Sequence, residues 1–157
     1  MPQTKCITAK EITVGMQHRA SLTFSADQVR RYCELAGDHN AIHRDLAAAQ
    51  LRFPDVDDIV VPGGLVQIAI TGIFGSDFPG DGALGLTFAP ERFRKPLCPG
   101  DRIEVVIEVT RVRGEIIEVE ITVQDEDGEK ISSATSRILA PDQNYQQWWQ
   151  QQTTARV

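Results

Sequence analysis

The sequence predicts an α+β domain in which an antiparallel sheet wraps around a long central helix. Residues 65–74, LVQIAITGIF, are apolar on almost every side: Leu65, Val66, Ile68, Ala69, Ile70, Ile73 and Phe74 are interrupted only by Gln67 and Thr71. Those two stand four apart, hence on one helical face. A helix apolar all round has to be buried, and this one is far too short for a bilayer, which takes roughly 20 apolar residues. The second half of the chain alternates apolar with polar residues, as half-buried strands do. The sheet's apolar face needs a cover and the helix needs a wrapper, so each meets the other's need.

Taken in order, residues 1–14 read as a mixed lead-in with one short strand, closed by a turn at Val14-Gly15. Ala20, Leu22 and Phe24 alternate with polar neighbours, a strand pattern. Ser25 can then cap a helix, with Gln28 completing a capping box and Phe24 stapling onto Val29. Val29, Tyr32, Cys33 and Ala36 give that helix one apolar face, and Gly37 stands where a left-handed residue ends it. Asp45 caps a second short helix, Leu46 to Arg52, which Phe53-Pro54 breaks before an acidic loop, DVDD. Ile59, Val60 and Val61 feed the central helix, and Pro79-Gly80-Asp81-Gly82 turns the chain afterwards.

Strands follow. Leu84, Leu86 and Phe88 alternate; so do Ile103, Val105, Ile107 and Val109, then Ile117, Val119, Ile121 and Val123, with a last strand over 130–139. Hairpin-sized connections at Arg113-Gly114 and 125–128 predict a meander, in a sheet of five or six strands. Residues 1–141 thus form a single domain. Residues 142–157 are a tail rich in Gln that carries both tryptophans, either a disordered terminus or a short helix docking Trp148 or Trp149.

At 157 residues the chain can bury a core without disulfides or metal. A net charge of −6 argues against nucleic-acid binding, since no basic patch dominates. Cys6, Cys33 and Cys98 are odd in number, widely spaced and free of a CxxC, which reads as reduced thiols. The N-terminus shows no apolar signal region and no stretch can span a membrane, so a cytoplasmic protein is expected.

The densest polar cluster in the first half of the chain is GDHNAIHRD, residues 37–45. Asp38 and His43 on one loop can hold a water between them, the imidazole exchanging a proton near neutral pH. Asp, Asn and His are also ordinary surface-loop residues, so the spacing alone leaves both readings open. Gly63 and Gly64 stand at the start of the central helix behind Pro62. A helix start carries unpaired N–H groups and partial positive charge, and can hold an oxyanion. Arg92, Arg94 and Lys95 at a strand end read as a solvated edge or as contacts for phosphates, and His18 and His39 read as solvent-facing.

GDHNAIHRD resembles the G-D-x-N-P-[IL]-H-x-D segment of the MaoC-like dehydratases, the (R)-specific enoyl-CoA hydratases, which have the hot-dog fold. FSADQVRRYCELAGDHNAIH is similar to that family's opening strand and helix, VVPGGLVQIAITGIFG to its core helix, and FAPERFRKPLCPGD to its later strand. The likeness spans roughly residues 12–140, and the ordered combination is far more specific than any one piece. It implies Asp38 and His43 as the catalytic pair, Asn40 as the motif's Asn, and Gly63 as the glycine whose N–H binds the thioester oxygen. Thr71 falls where the family has a Ser or Thr supporting the Asp. The implied substrate-binding residues are Pro62, Gly64, Arg92 and Arg94. The implied reaction adds water to a trans-2-enoyl thioester of coenzyme A or an acyl carrier, or reverses that addition, with no metal or redox cofactor. Two departures stand out: Pro62 replaces the usual His before the glycine, and Ala41 replaces the motif's Pro. The first alters pocket lining and substrate choice; the second loosens the loop slightly.

A hot-dog thioesterase and a noncatalytic acyl-thioester-binding subunit are the competing readings. The intact Asp38 and His43 favour hydration over both. A homodimer, or a higher homo-oligomer, is expected, because edge strands need covering and the loop bearing Asp38 needs a second wall. The strands over 102–111 and 115–125 are long and carry no proline to blunt them.

Overall fold

The computed structural model describes residues 4–154. Alternating apolar residues form β1 (Gln17–Thr23), β3 (Arg102–Arg113), β4 (Ile116–Gln124) and β5 (Lys130–Leu139), with β2 over Leu84–Pro90. They make one antiparallel five-stranded sheet in the order β1-β3-β4-β5-β2. The meander β3-β4-β5 is thus the middle of the sheet. The long strands are interior ones, not the expected edges. The edges are β1 and β2, and β2 ends on Pro90.

Helix α3 (Gly63–Ser76) crosses the sheet's apolar face, giving the expected hot-dog arrangement. Val66, Ile70, Ile73 and Phe74 pack into one core with Val105, Ile107, Val119 and Ile121. The helix is not covered on every side, however. Ile68 is 50% exposed, and Thr71, Gly72 and Gly75 are exposed with it. A single sheet can cover only the face it touches, and among the described residues no other element covers the opposite one. Leu84 and Leu86 of β2 are also exposed, so an apolar strip is left open.

Helix α1 (Ala26–Ala36) starts as its sequence dictates: the Ser25 hydroxyl accepts from the Gln28 N–H, and the Gln28 side chain accepts from the Ser25 N–H. Phe24 and Val29 are buried in the same core. Gly37 ends the helix at φ +66°, a left-handed conformation that favours glycine. Asp45 caps α2 (Leu46–Arg52) through the Ala48 N–H.

The lead-in makes an isolated bridge, Cys6 to Gly80, and a 3-10 turn over Ala9–Glu11; residues 1–3 lie outside the described residues. The tail forms helix α4 (Gln143–Thr154), with 155–157 outside the described residues. It docks on the lead-in: Trp149 Nε1 donates to Thr4 Oγ1 at 3.2 Å, and Gln146 Nε2 to the Cys6 carbonyl at 2.8 Å. The Tyr145 hydroxyl donates to Asp81 at 2.8 Å, while Trp148 stays half exposed. Of the two readings of the tail, the docked helix holds, with Trp149 as its anchor. Among the described residues no helix is long and apolar enough to cross a membrane.

Candidate active site

Gly37 turns the chain sharply enough for the Asp38 N–H to bond back to the Cys33 carbonyl at 2.9 Å. Asp38 Oδ1 accepts the Asn40 N–H at 2.9 Å, which leaves Oδ2 free to face inward. Asn40 in turn caps the 3-10 turn Ala41–His43, its Oδ1 accepting from the Ile42 N–H at 3.4 Å. That turn aims the His43 ring at the segment leading into α3. His43 Nδ1 lies 2.6 Å from the Val60 carbonyl, and the Val60 N–H returns a bond to the Ile42 carbonyl at 3.0 Å. A carbonyl only accepts, so Nδ1 carries the proton and Nε2 of the neutral ring is an acceptor.

His43 Nε2 then faces Asp38 Oδ2 at 3.6 Å. That gap is too long for a hydrogen bond, and two acceptors would not bond each other anyway. One water can touch both. The His43 side chain is 10% exposed and that of Asp38 33%, so the pair is sheltered but reachable.

Three residues beyond Val60, α3 begins. Pro62 stands at its cap without a side-chain cap bond, so the N–H groups of Gly63 and Gly64 stay available. His43 and Gly63 share a cavity of about 230 Å³ with Phe53, Val66, Phe93 and Arg94. His43 also lines a second cavity, of about 360 Å³, with Asp38, Asn40, Cys33 and Arg44. His43 therefore borders both the space that holds Gly63 and the space that holds Asp38.

The remaining candidates separate. Arg94 reaches the first cavity; Arg92 is exposed and lines neither. Lys95 is engaged by Asp125. Pro62 is buried, and Gly64 lies against Tyr32 rather than against either cavity. Thr71 does not reach Asp38 within this chain. Its hydroxyl donates to the Ile68 carbonyl at 2.8 Å, and it lines a third cavity, of about 300 Å³, with Phe74, Leu86, Phe88 and Ser136. Two helical turns separate it from Gly63, roughly 12 Å at the α-helical rise. Beyond the site, His18 is not solvent-facing: it stacks on Phe78 at 5.8 Å, and burial pushes its pKa below the ordinary value, against the pull of Asp77 and with that of Lys5. His39 is exposed as expected.

The sequence reading missed Tyr32, treating it only as part of α1's apolar face. Its hydroxyl oxygen sits where a Cβ at Gly64 would have to be. The signal was available in the paired glycines opening an otherwise bulky apolar helix. Cys33 lies beside the same cluster, and burial, aided by Asp38, raises its thiol above the usual range. Among the described residues no group of three or more His, Cys, Asp or Glu could hold a metal ion.

Known proteins share both sequence and shape with this chain. The family model for the MaoC like domain matches residues 8–129. An (R)-specific enoyl-CoA hydratase of Aeromonas caviae is 32% identical over 108 residues, covering 68% of this chain and 78% of that protein. A 3-hydroxybutyryl-CoA dehydratase of Methylorubrum extorquens is 26% identical over 71% of this chain and 69% of its own length. Among solved structures, an unliganded R-hydratase of Pseudomonas aeruginosa superposes with a TM-score of 0.79 at 22% identity, covering 90% of each chain.

Proposed function

The chain belongs to the MaoC-like domain family, and from that premise we propose that it is a hydro-lyase interconverting trans-2-enoyl-CoA and (R)-3-hydroxyacyl-CoA. One observation carries the reading: His43 Nε2 and Asp38 Oδ2 face each other at 3.6 Å while His43 shares its cavity with Gly63, the first residue of α3. Proton transfer and charge stabilisation are thereby brought to one place.

In the hydration direction, a water donates one hydrogen bond to Asp38 Oδ2 and one to His43 Nε2. One of the two takes its proton as the oxygen attacks Cβ of the enoyl thioester. Negative charge gathers on the thioester oxygen, where the Gly63 N–H and the N-terminal end of the α3 dipole stabilise it. The pair then returns the proton to Cα on the same face, which makes the addition syn. Losing such an oxyanion donor costs about 3–4 kcal/mol of transition-state stabilisation. Protein groups meet each need of the reaction, so the reading calls for no metal or redox cofactor. Asn40 holds the loop, and Arg94 is the residue best placed to meet the phosphates of coenzyme A.

The working unit in this reading is a homodimer. Ile68, Leu84 and Leu86 leave an apolar strip open along α3 and the edge strand β2, and Thr71 opens onto a cavity in that same strip. A second copy laid there would cover the strip and enclose an acyl chain beside it. Unpaired Cys6, Cys33 and Cys98 suit a reducing compartment, and the reading places the enzyme in the cytoplasm.

Crotonyl-CoA tests the activity. Loss of enoyl absorbance without release of free thiol is the expected result. Thiol release would make the protein a thioesterase, and no change in either signal would leave only a binding role. Light scattering on active protein tests the assembly, and a mass of 17.4 kDa would overturn the dimer.

A further inference from the structure

Tyr32 projects from α1, the helix whose end carries Asp38, and its ring packs against the core. Its hydroxyl reaches the first turn of α3. A Cβ added at Gly64 would overlap that hydroxyl oxygen and come within 3.0 Å of the ring carbon that bears it. Only a glycine at 64 lets the hydroxyl lie against the helix backbone there.

Packing alone does not account for the group. A phenol lodged beside a helix for its ring area gains nothing from the oxygen unless that oxygen is bonded. No hydrogen-bond partner for the Tyr32 hydroxyl exists among the described residues, yet no buried side-chain oxygen there is left unpartnered. The hydroxyl is therefore open to solvent at the first turn of α3, against Gly64, the residue that follows Gly63. Pro62, on the other side of Gly63, has no N–H to give.

We infer that the Tyr32 hydroxyl is a second hydrogen-bond donor to the substrate's thioester oxygen, acting beside the Gly63 N–H; this rests on the hydration reading. As charge builds on that oxygen, the hydroxyl's bond to it strengthens, so its contribution falls on the transition state more than on the bound ground state. Because the ring is fixed in the core, the donor is held in place before substrate arrives. Gly64 serves the same end by leaving room for it.

The test uses full-length protein and crotonyl-CoA. Tyr32→Phe keeps the ring and removes only the oxygen, so the fold and melting temperature stay as they are. The expected result is a fall in kcat of about tenfold with KM within about twofold, the pattern of an interaction made in the transition state. Gly64→Ala drives the hydroxyl out and lowers kcat at least as far, and Tyr32→Phe added to it causes no further loss, because the same donor is already gone. Wild-type kcat in Tyr32→Phe overturns the proposal while leaving the hydration reading intact. Equal losses in kcat and melting temperature would make Tyr32 a packing residue and overturn it too. No turnover by the wild-type protein overturns the hydration reading, and this proposal with it.

Discussion

The two faces of α3 are made from one apolar stretch and do different work. On one side Val66, Ile70, Ile73 and Phe74 are at most 5% exposed and hold the sheet. On the other, Ile68 is half exposed and Thr71, Gly72 and Gly75 are small or polar and open. The helix has almost no amphipathic contrast because both faces avoid charge, for different reasons. The inner face is apolar for stability. The outer face is apolar or small because it borders an acyl pocket and a partner, in the reading above. An apolar residue on a helix thus does not say which role it serves; what covers it does.

The sharpest contrast with packing residues comes from the loop facing the helix start. Asp38→Asn and His43→Ala each remove a proton carrier and no core contact. Hydration of crotonyl-CoA should fall by about 10²–10⁴-fold in each, with the melting temperature within a few degrees of wild type. A variant that unfolds instead would make the loop structural.

Next in size is the comparison of the two faces themselves. Ile70→Ala empties volume from the inner face and should cost about 2–5 kcal/mol in denaturant unfolding. Ile68→Ser, one turn-fraction away, should cost within about 0.5 kcal/mol in a monomer, while shifting the protein toward monomer by light scattering. If Ile68→Ser is as destabilising as Ile70→Ala at a protein concentration too low for assembly, the outer face is part of the core after all.

The smallest effect is one of pH. Burial lowers the pKa of His18 from its ordinary 6.5. The unfolded chain therefore binds this proton first, and the stability present above about pH 6.5 is lost as pH falls toward the lowered value. His18→Gln should flatten that part of the curve. An unchanged pH dependence would mean that His18 titrates as it does in the open chain.

The fold was legible wherever the chemistry is local. Ser25 with Gln28, Gly37, and Asp45 each fix a helix end through their own backbone, and the alternation from Ile103 to Val123 fixes a buried face. Long-range order was not legible. Nothing in the alternating pattern says that β1 joins β3 and β2 joins β5, so the long strands were expected at edges that the short ones occupy. Helical spacing put Gln67 and Thr71 on one face correctly, but spacing cannot tell which neighbour a hydroxyl meets, and Thr71 bonds its own helix. His18 looked like a surface residue because its partner, Phe78, is sixty positions away. Asp38, His43 and Gly63 come from a loop and a helix start that only the fold brings together, through the Val60 carbonyl. Tyr32 was hidden by its own ring, which satisfied the helix pattern and left the hydroxyl unconsidered.

The central claim is that Asp38 and His43 share one water and act as a unit. The measurement is the kcat of the double variant Asp38→Asn/His43→Ala on crotonyl-CoA, beside each single variant. Groups that act as a unit are strongly non-additive, so the double variant should lose no more than about tenfold beyond the worse single one. Losses that multiply would mean two independent roles, and a double variant near wild-type turnover would remove the pair from the reaction altogether.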